Sequence, residues 1–161
     1  MAVESTVQLK GRSPAIARAA AVGVAVVGLD QLTKRTVVQG IAPGQKEGLI
    51  PGLHLVHVRN TGVAFGFFSG GGTVVLVLTF AALALLVAYF LLHPDRRGLW
   101  IPTGLLVGGA IGNLVDRLAN GAVTDFIKLP YWPAFNVADM AITFGVLALL
   151  YVLDVARAHG R

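Results

Sequence analysis

The sequence contains no cysteine and unusually little charge. Without cysteine the chain cannot itself form a disulfide, a thiolate metal site or a thiol nucleophile. Charged residues make up 13% of the 161 residues, whereas hydrophobic residues make up 55%, and the mean hydropathy is +0.74. This hydropathy is too high for a soluble domain of this length. We therefore expect a single compact membrane domain.

The excess of basic residues does not indicate nucleic-acid binding. The formal net charge is +5 and the isoelectric point is near 10.1. However, the lysines and arginines form no continuous stripe, and the aromatic residues lie in apolar runs or loops. We interpret the basic residues as charges that set membrane topology, and we expect no nucleic-acid partner.

Four apolar stretches predict four transmembrane helices. Thr73–Leu92 is the clearest, because it contains no charge and is roughly 30 Å long as a helix, the thickness of the hydrocarbon layer. Residues 1–12 are polar and are expected to form a disordered or frayed tail. The predicted helices cover about 15–37, 73–92, 99–118 and 136–156, with outer loops at 38–72 and 119–135 and a cytoplasmic loop at 93–98.

The first apolar stretch also has features of a secretory signal peptide, because basic residues precede Ala19–Leu29. No small-residue cleavage site follows it. Asp30 and Gln31 come instead, and the helical pattern continues to Val37. We therefore predict a retained first transmembrane helix.

The distribution of lysine and arginine favours cytoplasmic termini. Seven of these residues lie on the side of the two termini and six on the other side, but the first group is concentrated in very short segments. With both termini in the cytoplasm, five polar residues converge on the outer face of the membrane: Asp30, Asn60, Asp116, Asp125 and Asp139.

The outer loops are expected to form a small extracytoplasmic platform. Leu53–Arg59 alternates and contains β-branched residues, which predicts a strand, and Val123–Leu129 is also expected to be extended. His54 and His57 would lie on opposite faces of such a strand, so we expect no metal site and no other cofactor. The predicted fold is an all-α integral membrane protein with four transmembrane helices and this platform of strands and loops.

Polar residues are concentrated near the ends of the apolar stretches, where carboxylates are costly unless they are paired or functional. Asp30 and Lys34 are spaced i,i+4 and can pair on one helix face, either as a self-neutralising surface pair or as support for an interior site. The densest group lies between Gly109 and Ile142 and comprises Asn113, Asp116, Arg117, Asp125, Asn136 and Asp139.

Two neighbouring carboxylates suit acid–base chemistry. The two groups resist being ionised at the same time. One therefore retains a proton and serves as a general acid, while the other serves as a general base. Asp125, in an extended loop, and Asp139, in a first helical turn, are close enough in sequence to meet. An aspartyl hydrolase is one interpretation. A proton- or cation-coupled membrane carrier and a purely structural polar network are the alternatives.

Three further polar side chains are predicted to support the two carboxylates. Asn113, Asn136 and Arg117 are candidates to orient these carboxylates and to satisfy their remaining hydrogen-bond acceptors. Asn60 either caps its turn or holds a peptide backbone.

Five motifs, in this order and spacing, resemble those of the lipoprotein signal peptidase (signal peptidase II) family. The resemblance covers about residues 15 to 155, and the set is far more specific than any one motif alone. The motifs are DQLTK at 30–34, NTGVAFG at 60–66, GAIGNLVDR at 109–117, VTDF at 123–126 and FNVAD at 135–139.

The resemblance implies an aspartyl endopeptidase of the bacterial cytoplasmic membrane, with its active site near the outer leaflet. Its substrates would be prolipoproteins whose cysteine carries a diacylglyceryl group, cleaved just before that cysteine. Globomycin-type cyclic peptides would inhibit it, membrane lipids would surround it, and we expect a monomer. The resemblance makes Asp125 and Asp139 catalytic. It gives supporting or substrate-binding roles to Asp30, Lys34, Asn60, Asn113, Asp116, Arg117 and Asn136.

The loop at 40–71 would lie over a site in this position. We hypothesise that it forms a platform or lid. If deleting Gly44–Gly52 left cleavage unchanged, this hypothesis would be wrong.

Overall fold

The computed structural model describes residues 2–61, 71–93, 96 and 98–158. These residues form a mostly helical protein with a small three-stranded sheet. The elements, in chain order, are α1 (Ala2–Gly40), β1 (Lys46–Ile50), β2 (Leu53–Asn60), α2 (Gly71–Leu92), α3 (Trp100–Asn120), β3 (Val123–Lys128) and α4 (Val137–Ala158).

The first helix is longer than the sequence predicts. It begins at Ala2, so the expectation of a disordered or frayed tail over residues 1–12 is wrong for the described residues of that segment. The helix includes Pro14, and no other proline occurs in it. The polar composition of the tail led to the error, since polar residues are compatible with a helix that carries no apolar stripe.

Two described helical stretches are long and apolar enough to cross a membrane, namely Pro14–Gly40 and Val137–Val155. Phe80–Leu92 is a shorter apolar helix. Large apolar side chains on these elements are widely exposed, including Val24 at 72%, Leu85 at 73% and Tyr151 at 70%. Such extensive apolar exposure is unusual for a soluble monomer and is expected of a surface that contacts lipid.

Helix α3 lies against both α1 and α4, and its glycines allow the helices to approach closely. A Cβ at Gly104 would lie 2.7 Å from the carbonyl oxygen of Ala19 in α1. A Cβ at Gly109 would lie 2.6 Å from the carbonyl oxygen of Ala138 in α4. Backbones in such contact bring the polar ends of the three helices together.

The sheet is antiparallel, in the order β1-β2-β3. Strand β2 occupies the segment that the alternating pattern predicts, whereas β1 was not predicted. Gly52, with φ of +84°, lies in the turn between them. The register pairs Val58 with Asp125 and Asn60 with Val123, which places Asn60 near Asp125 on one face of the sheet.

Candidate active site

Lys34 lies at the centre of a buried ion cluster. Its Nζ is 2.8 Å from Asp30 Oδ2, one helical turn earlier on α1, and 3.0 Å from Asp116 Oδ2 on α3. It also donates to Asn113 Oδ1 at 3.0 Å. All three ammonium hydrogens therefore have an acceptor. The i,i+4 pair of the sequence is an interior pair and not a surface one, because both side chains are buried.

The remaining acceptors of these two aspartates are also satisfied. Asp30 Oδ1 accepts from the backbone N of Ala138 at the start of α4, at 2.9 Å. Asp116 Oδ2 accepts from the backbone N of Thr124 in β3, at 2.9 Å. These bonds tie α1 to α4 and α3 to β3, so the cluster joins four elements.

Gln31 completes this cluster, although no functional role is predicted for it from the sequence. Its Nε2 lies 3.3 Å from Asp30 Oδ2 and 3.0 Å from Asp116 Oδ1, and it is 3.2 Å from the carbonyl oxygen of Gly112. A polar residue directly after Asp30 in a largely apolar helix was the available signal.

Asp125 and Asp139 are held by asparagines and backbone groups. Asn60 Nδ2 donates to Asp125 Oδ2 at 2.9 Å, and Asn136 Nδ2 donates to Asp125 Oδ1 at 2.7 Å. Asn113 Nδ2 donates to Asp139 Oδ1 at 2.8 Å. The structure thus brings both predicted catalytic residues and three predicted supporting asparagines into one network.

Asn136 contacts both carboxylates because it caps α4. Its Oδ1 accepts from the backbone N of Asp139 at 2.9 Å, and its own backbone N donates to Asp139 Oδ2 at 3.3 Å. This reciprocal pattern is a capping box with aspartate at the third helical position. This cap fixes Asp139 in the first turn of α4, where the helix dipole favours an anion.

Asn113 connects the two groups of aspartates. Its Oδ1 accepts from Lys34 and, at 3.1 Å, from Asn136 Nδ2. Since two donors fix the position of the amide oxygen, the amide nitrogen must face Asp139. The position of Lys34 therefore determines how Asp139 is held.

The two candidate catalytic carboxylates differ in exposure. Asp125 is buried, whereas Asp139 is half-buried. Burial is the largest cause of the rise in the pKa of Asp125 from its ordinary value of 3.8 to about 6, and the charge of Asp139 contributes to the same rise. Hydrogen bonds from Asn60 and Asn136 and the charge of Lys34 oppose this increase in the pKa. Asp125 therefore retains a proton more readily than an ordinary aspartate.

Arg117 lies outside this network, and part of one predicted motif lies outside the described residues. The side chain of Arg117 forms no hydrogen bond or ion pair with the described residues, and its carbonyl oxygen accepts from Gly121 N at the end of α3. Of the NTGVAFG motif, Asn60 is in the network, but residues 62–66 are outside the described residues.

Comparisons with known proteins identify the family to which this chain belongs. The family model for signal peptidase (SPase) II, Peptidase_A8, matches residues 22–155. A lipoprotein signal peptidase of Moorella thermoacetica is 42% identical over 130 residues, which cover 80% of this chain and 87% of that protein. One of Thermodesulfovibrio yellowstonii is 40% identical over 129 residues, covering 76% of this chain and 85% of that protein.

A solved structure shares the fold as well as the sequence. It is a bacterial membrane enzyme determined by the in meso method at 1.9 Å resolution, 33% identical, with a TM-score of 0.79. The match covers 86% of this chain and 93% of the other. The resemblance inferred from the five motifs is confirmed, and this chain belongs to the signal peptidase II family of aspartic peptidases.

Proposed function

We propose that this protein is a membrane aspartyl endopeptidase that removes the signal peptide from diacylglyceryl-modified prolipoproteins, cleaving just before the lipidated cysteine. The observation that carries the proposal is the pair Asp125 and Asp139, joined through the cap residue Asn136. Family membership supports the reaction class. The alternative of a proton- or cation-coupled carrier receives no support from the relatives.

The unequal surroundings of the pair assign a role to each carboxylate. Asp139, half-buried and at a helix N-terminus, accepts a proton from water, and the water oxygen attacks the peptide carbonyl carbon. Asp125 donates its proton to the carbonyl oxygen. The tetrahedral intermediate then collapses as its C–N bond breaks, and the new amine receives the proton that Asp139 took from water. One hydroxyl of the intermediate returns a proton to Asp125 as the carbonyl of the new carboxyl group forms.

Supporting roles follow from the contacts. Asn60 and Asn136 orient Asp125, and Asn113 orients Asp139. Asp30, Lys34 and Asp116 hold the helices that carry these groups. For Arg117, which lies outside the network, we propose a contact with substrate.

The proposed setting is the bacterial cytoplasmic membrane. Helices α1 to α4 each cross it, both termini lie in the cytoplasm, and the sheet and the site lie near the outer leaflet. The apolar exposure of the helices and the grouping of all four aspartates at one end of the bundle support this arrangement. A diacylglyceryl cysteine also lies at this depth, because its acyl chains anchor it in the leaflet.

An apolar groove leads away from the site along the helices. It has a volume of about 670 Å³ and lies between α1, α2 and α3, lined by residues such as Val24, Phe90 and Val107. The end of the groove nearest the site is at Gly28 and Ile111, which closely precede Asp30 and Gly112 in the chain. We assign it to apolar side chains of the signal peptide, which continues from the cleaved bond towards the cytoplasm.

The proposal also covers the oligomeric state, the inhibitors and the first outer loop of the protein. The protein acts as a monomer among membrane lipids, and globomycin-type cyclic peptides compete with substrate at the site. The described part of the loop at 40–71, residues 40–61, carries β1 and β2 and places Asn60 against Asp125, which supports a platform role. Deletion of Gly44–Gly52 would remove all of β1 and the turn into β2, and we expect it to reduce cleavage.

The test is a cleavage assay in detergent with a purified prolipoprotein, prepared with and without its diacylglyceryl group. We expect a gel shift for the lipidated substrate alone, and mass spectrometry should place the new N-terminus at the modified cysteine. Absence of cleavage of a confirmed lipidated substrate would overturn the proposal. In that case, proton or cation flux in liposomes would identify the carrier instead.

A further inference from the structure

In addition to the apolar groove, a polar cavity lies on the opposite side of the sheet from Asp125. In the β2–β3 register, Val58 pairs with Asp125 and the next pair is Arg59 with Thr124. Because successive side chains of a strand point to opposite faces, Arg59 and Thr124 face away from Asp125. They line a cavity of about 320 Å³ that the peptidase chemistry does not use.

Among the described residues that line this cavity, Arg59 is the one permanently charged side chain, and the lining includes no aspartate or glutamate. Arg59 Nη2 donates to the carbonyl oxygen of Asn120, at the end of α3, at 2.7 Å. This bond holds the guanidinium in place. Its other N–H groups have no acceptor in the part of the chain that the structure describes, so they are available to an anion.

His57 supplies an acceptor beside this cation. Its Nδ1 is 2.9 Å from the carbonyl oxygen of Ile41. A carbonyl oxygen only accepts, so Nδ1 carries the hydrogen, and in the neutral imidazole Nε2 is an acceptor. Nε2 has no partner among the described residues, and the buried ring is part of the cavity lining. The cavity therefore offers an anion site and an adjacent acceptor for a hydroxyl group.

The cavity also lies where the helices end. Val38 is in the last turn of α1 and Asn120 is the last residue of α3, and Pro43 adds an apolar wall. In the membrane arrangement of the proposed function, on which this inference rests, both helix ends lie at the outer interface. A ligand there has a polar headgroup next to an apolar body.

We propose that this cavity binds the headgroup of an anionic phospholipid with a hydroxylated headgroup, such as phosphatidylglycerol. The phosphate accepts hydrogen bonds from Arg59, and a headgroup hydroxyl donates to His57 Nε2. Phosphocholine fits poorly because it adds a cation next to Arg59 and has no donor for His57. Basic pockets between membrane helices bind phospholipid headgroups in this manner.

The experiment measures lipid binding to the purified protein in an uncharged detergent, without turnover. Native mass spectrometry and the lipid-induced change in melting temperature are recorded for phosphatidylglycerol, phosphatidylcholine and inorganic phosphate. The variants are Arg59→Gln and, as matched control, Lys46→Gln, which removes an exposed cation of the same sheet outside the cavity.

We expect phosphatidylglycerol to bind at least tenfold more tightly than phosphatidylcholine. Arg59→Gln should weaken phosphatidylglycerol about tenfold or more, as the loss of a charge-assisted hydrogen bond does, and Lys46→Gln should not. Equal binding of the two lipids, or equal effects of the two variants, would overturn the proposal. If inorganic phosphate bound as tightly as phosphatidylglycerol, the ligand of this cavity would be free phosphate and the lipid proposal would be wrong.

His57→Asn tests the hydroxyl contact. The amide nitrogen of asparagine can replace Nδ1 at Ile41, whereas nothing replaces Nε2. We expect a severalfold loss for phosphatidylglycerol and no change for phosphatidic acid, which has no glycerol headgroup. Equal losses would remove the hydroxyl from the proposal.

Failure of the peptidase proposal has a different signature. A protein that cleaves no lipidated substrate but still shows Arg59-dependent lipid binding retains this site. A protein that cleaves but shows no lipid preference lacks it.

Discussion

Two groups of aspartates at the same end of the helices have opposite environments. Asp30 and Asp116 share the ammonium group of Lys34, and backbone or glutamine donors satisfy their other oxygens. Asp125 and Asp139 contact asparagines and backbone groups but no lysine or arginine within the described residues. At Asp125, where no cation is in contact among the described residues, burial and the charge of Asp139 raise the pKa, so this carboxyl group can hold and exchange a proton.

The contrast separates support from chemistry among residues of one type. Burial alone does not, because Asp30 and Asp125 are both buried. The identity of the partner decides the role. Asn113 links the groups, so the ion cluster orients the reactive pair without neutralising it.

The largest expected effect is on turnover, from Asp125→Asn or Asp139→Asn. Each replacement removes a proton donor or acceptor but keeps the size of the side chain, so we expect cleavage to fall about 10²–10⁴-fold or more. Folding should be retained because no buried cation loses its partner. The measurement is kcat/KM on the lipidated substrate, with thermal melts of each variant.

The matched control is Asp154→Asn, an exposed aspartate near the other end of α4, which should leave kcat/KM unchanged. A folded Asp125→Asn or Asp139→Asn variant with full activity would contradict the assignment. Unfolding of both would instead indicate a structural network.

The sequence predicted this site better than its architecture. Ordered motifs predicted Asp125, Asp139 and the asparagines as one group, and the structure brings their side chains into one network. The capping position of Asn136 was also predictable, since the N-cap preference is local.

Other features depended on tertiary contacts. Strand β1 has no alternating pattern, and its residues are exposed, so its pairing with β2 produces no signal in the sequence. Gln31 and the Arg59–His57 cavity were missed for a similar reason, because their partners lie on elements distant in the chain.

The next largest effect is on stability, from Lys34→Met. This change leaves Asp30 and Asp116 buried without their cation, and breaking such a buried pair typically costs about 3–5 kcal/mol. We expect a strongly lowered melting temperature and a lower yield. Arg35→Met is the control: Arg35 is the neighbouring exposed cation of α1, and its replacement should change stability by less than about 0.5 kcal/mol. Similar melting temperatures for the two variants would contradict a central role for Lys34.

A smaller loss is expected from Gly112→Ala, which tests the packing around the ion cluster. The new Cβ would lie 2.7 Å from Asp30 Oδ2, and Lys34 and the backbone of Ala138 hold that carboxylate in place. Overpacking of this kind costs about 1–3 kcal/mol. Gly28→Ala is the control, because nothing lies within 4 Å of its Cβ position. Since alanine favours a helix, Gly28→Ala should be neutral or stabilising, and a melting temperature for Gly112→Ala as high as that of Gly28→Ala would exclude the predicted clash.

The smallest expected effect is a shift in pH dependence that only the reactive pair should show. Because the pKa of Asp125 is raised to about 6, its proton is lost above that pH, and kcat/KM should decrease there. Asn60→Ala removes a donor to the ionised form, which raises the pKa of Asp125, and the decrease in kcat/KM should move to higher pH by less than about one unit.

The pH dependence of the free energy of unfolding provides a second measurement of the same proton. Between about pH 4 and 6 the folded state binds more protons at Asp125 than the unfolded state, so the free energy of unfolding decreases as the pH rises through this interval. Asp125→Asn should abolish this contribution and Asp154→Asn should retain it; equal pH profiles of stability in the two variants would mean that Asp125 does not hold the proton.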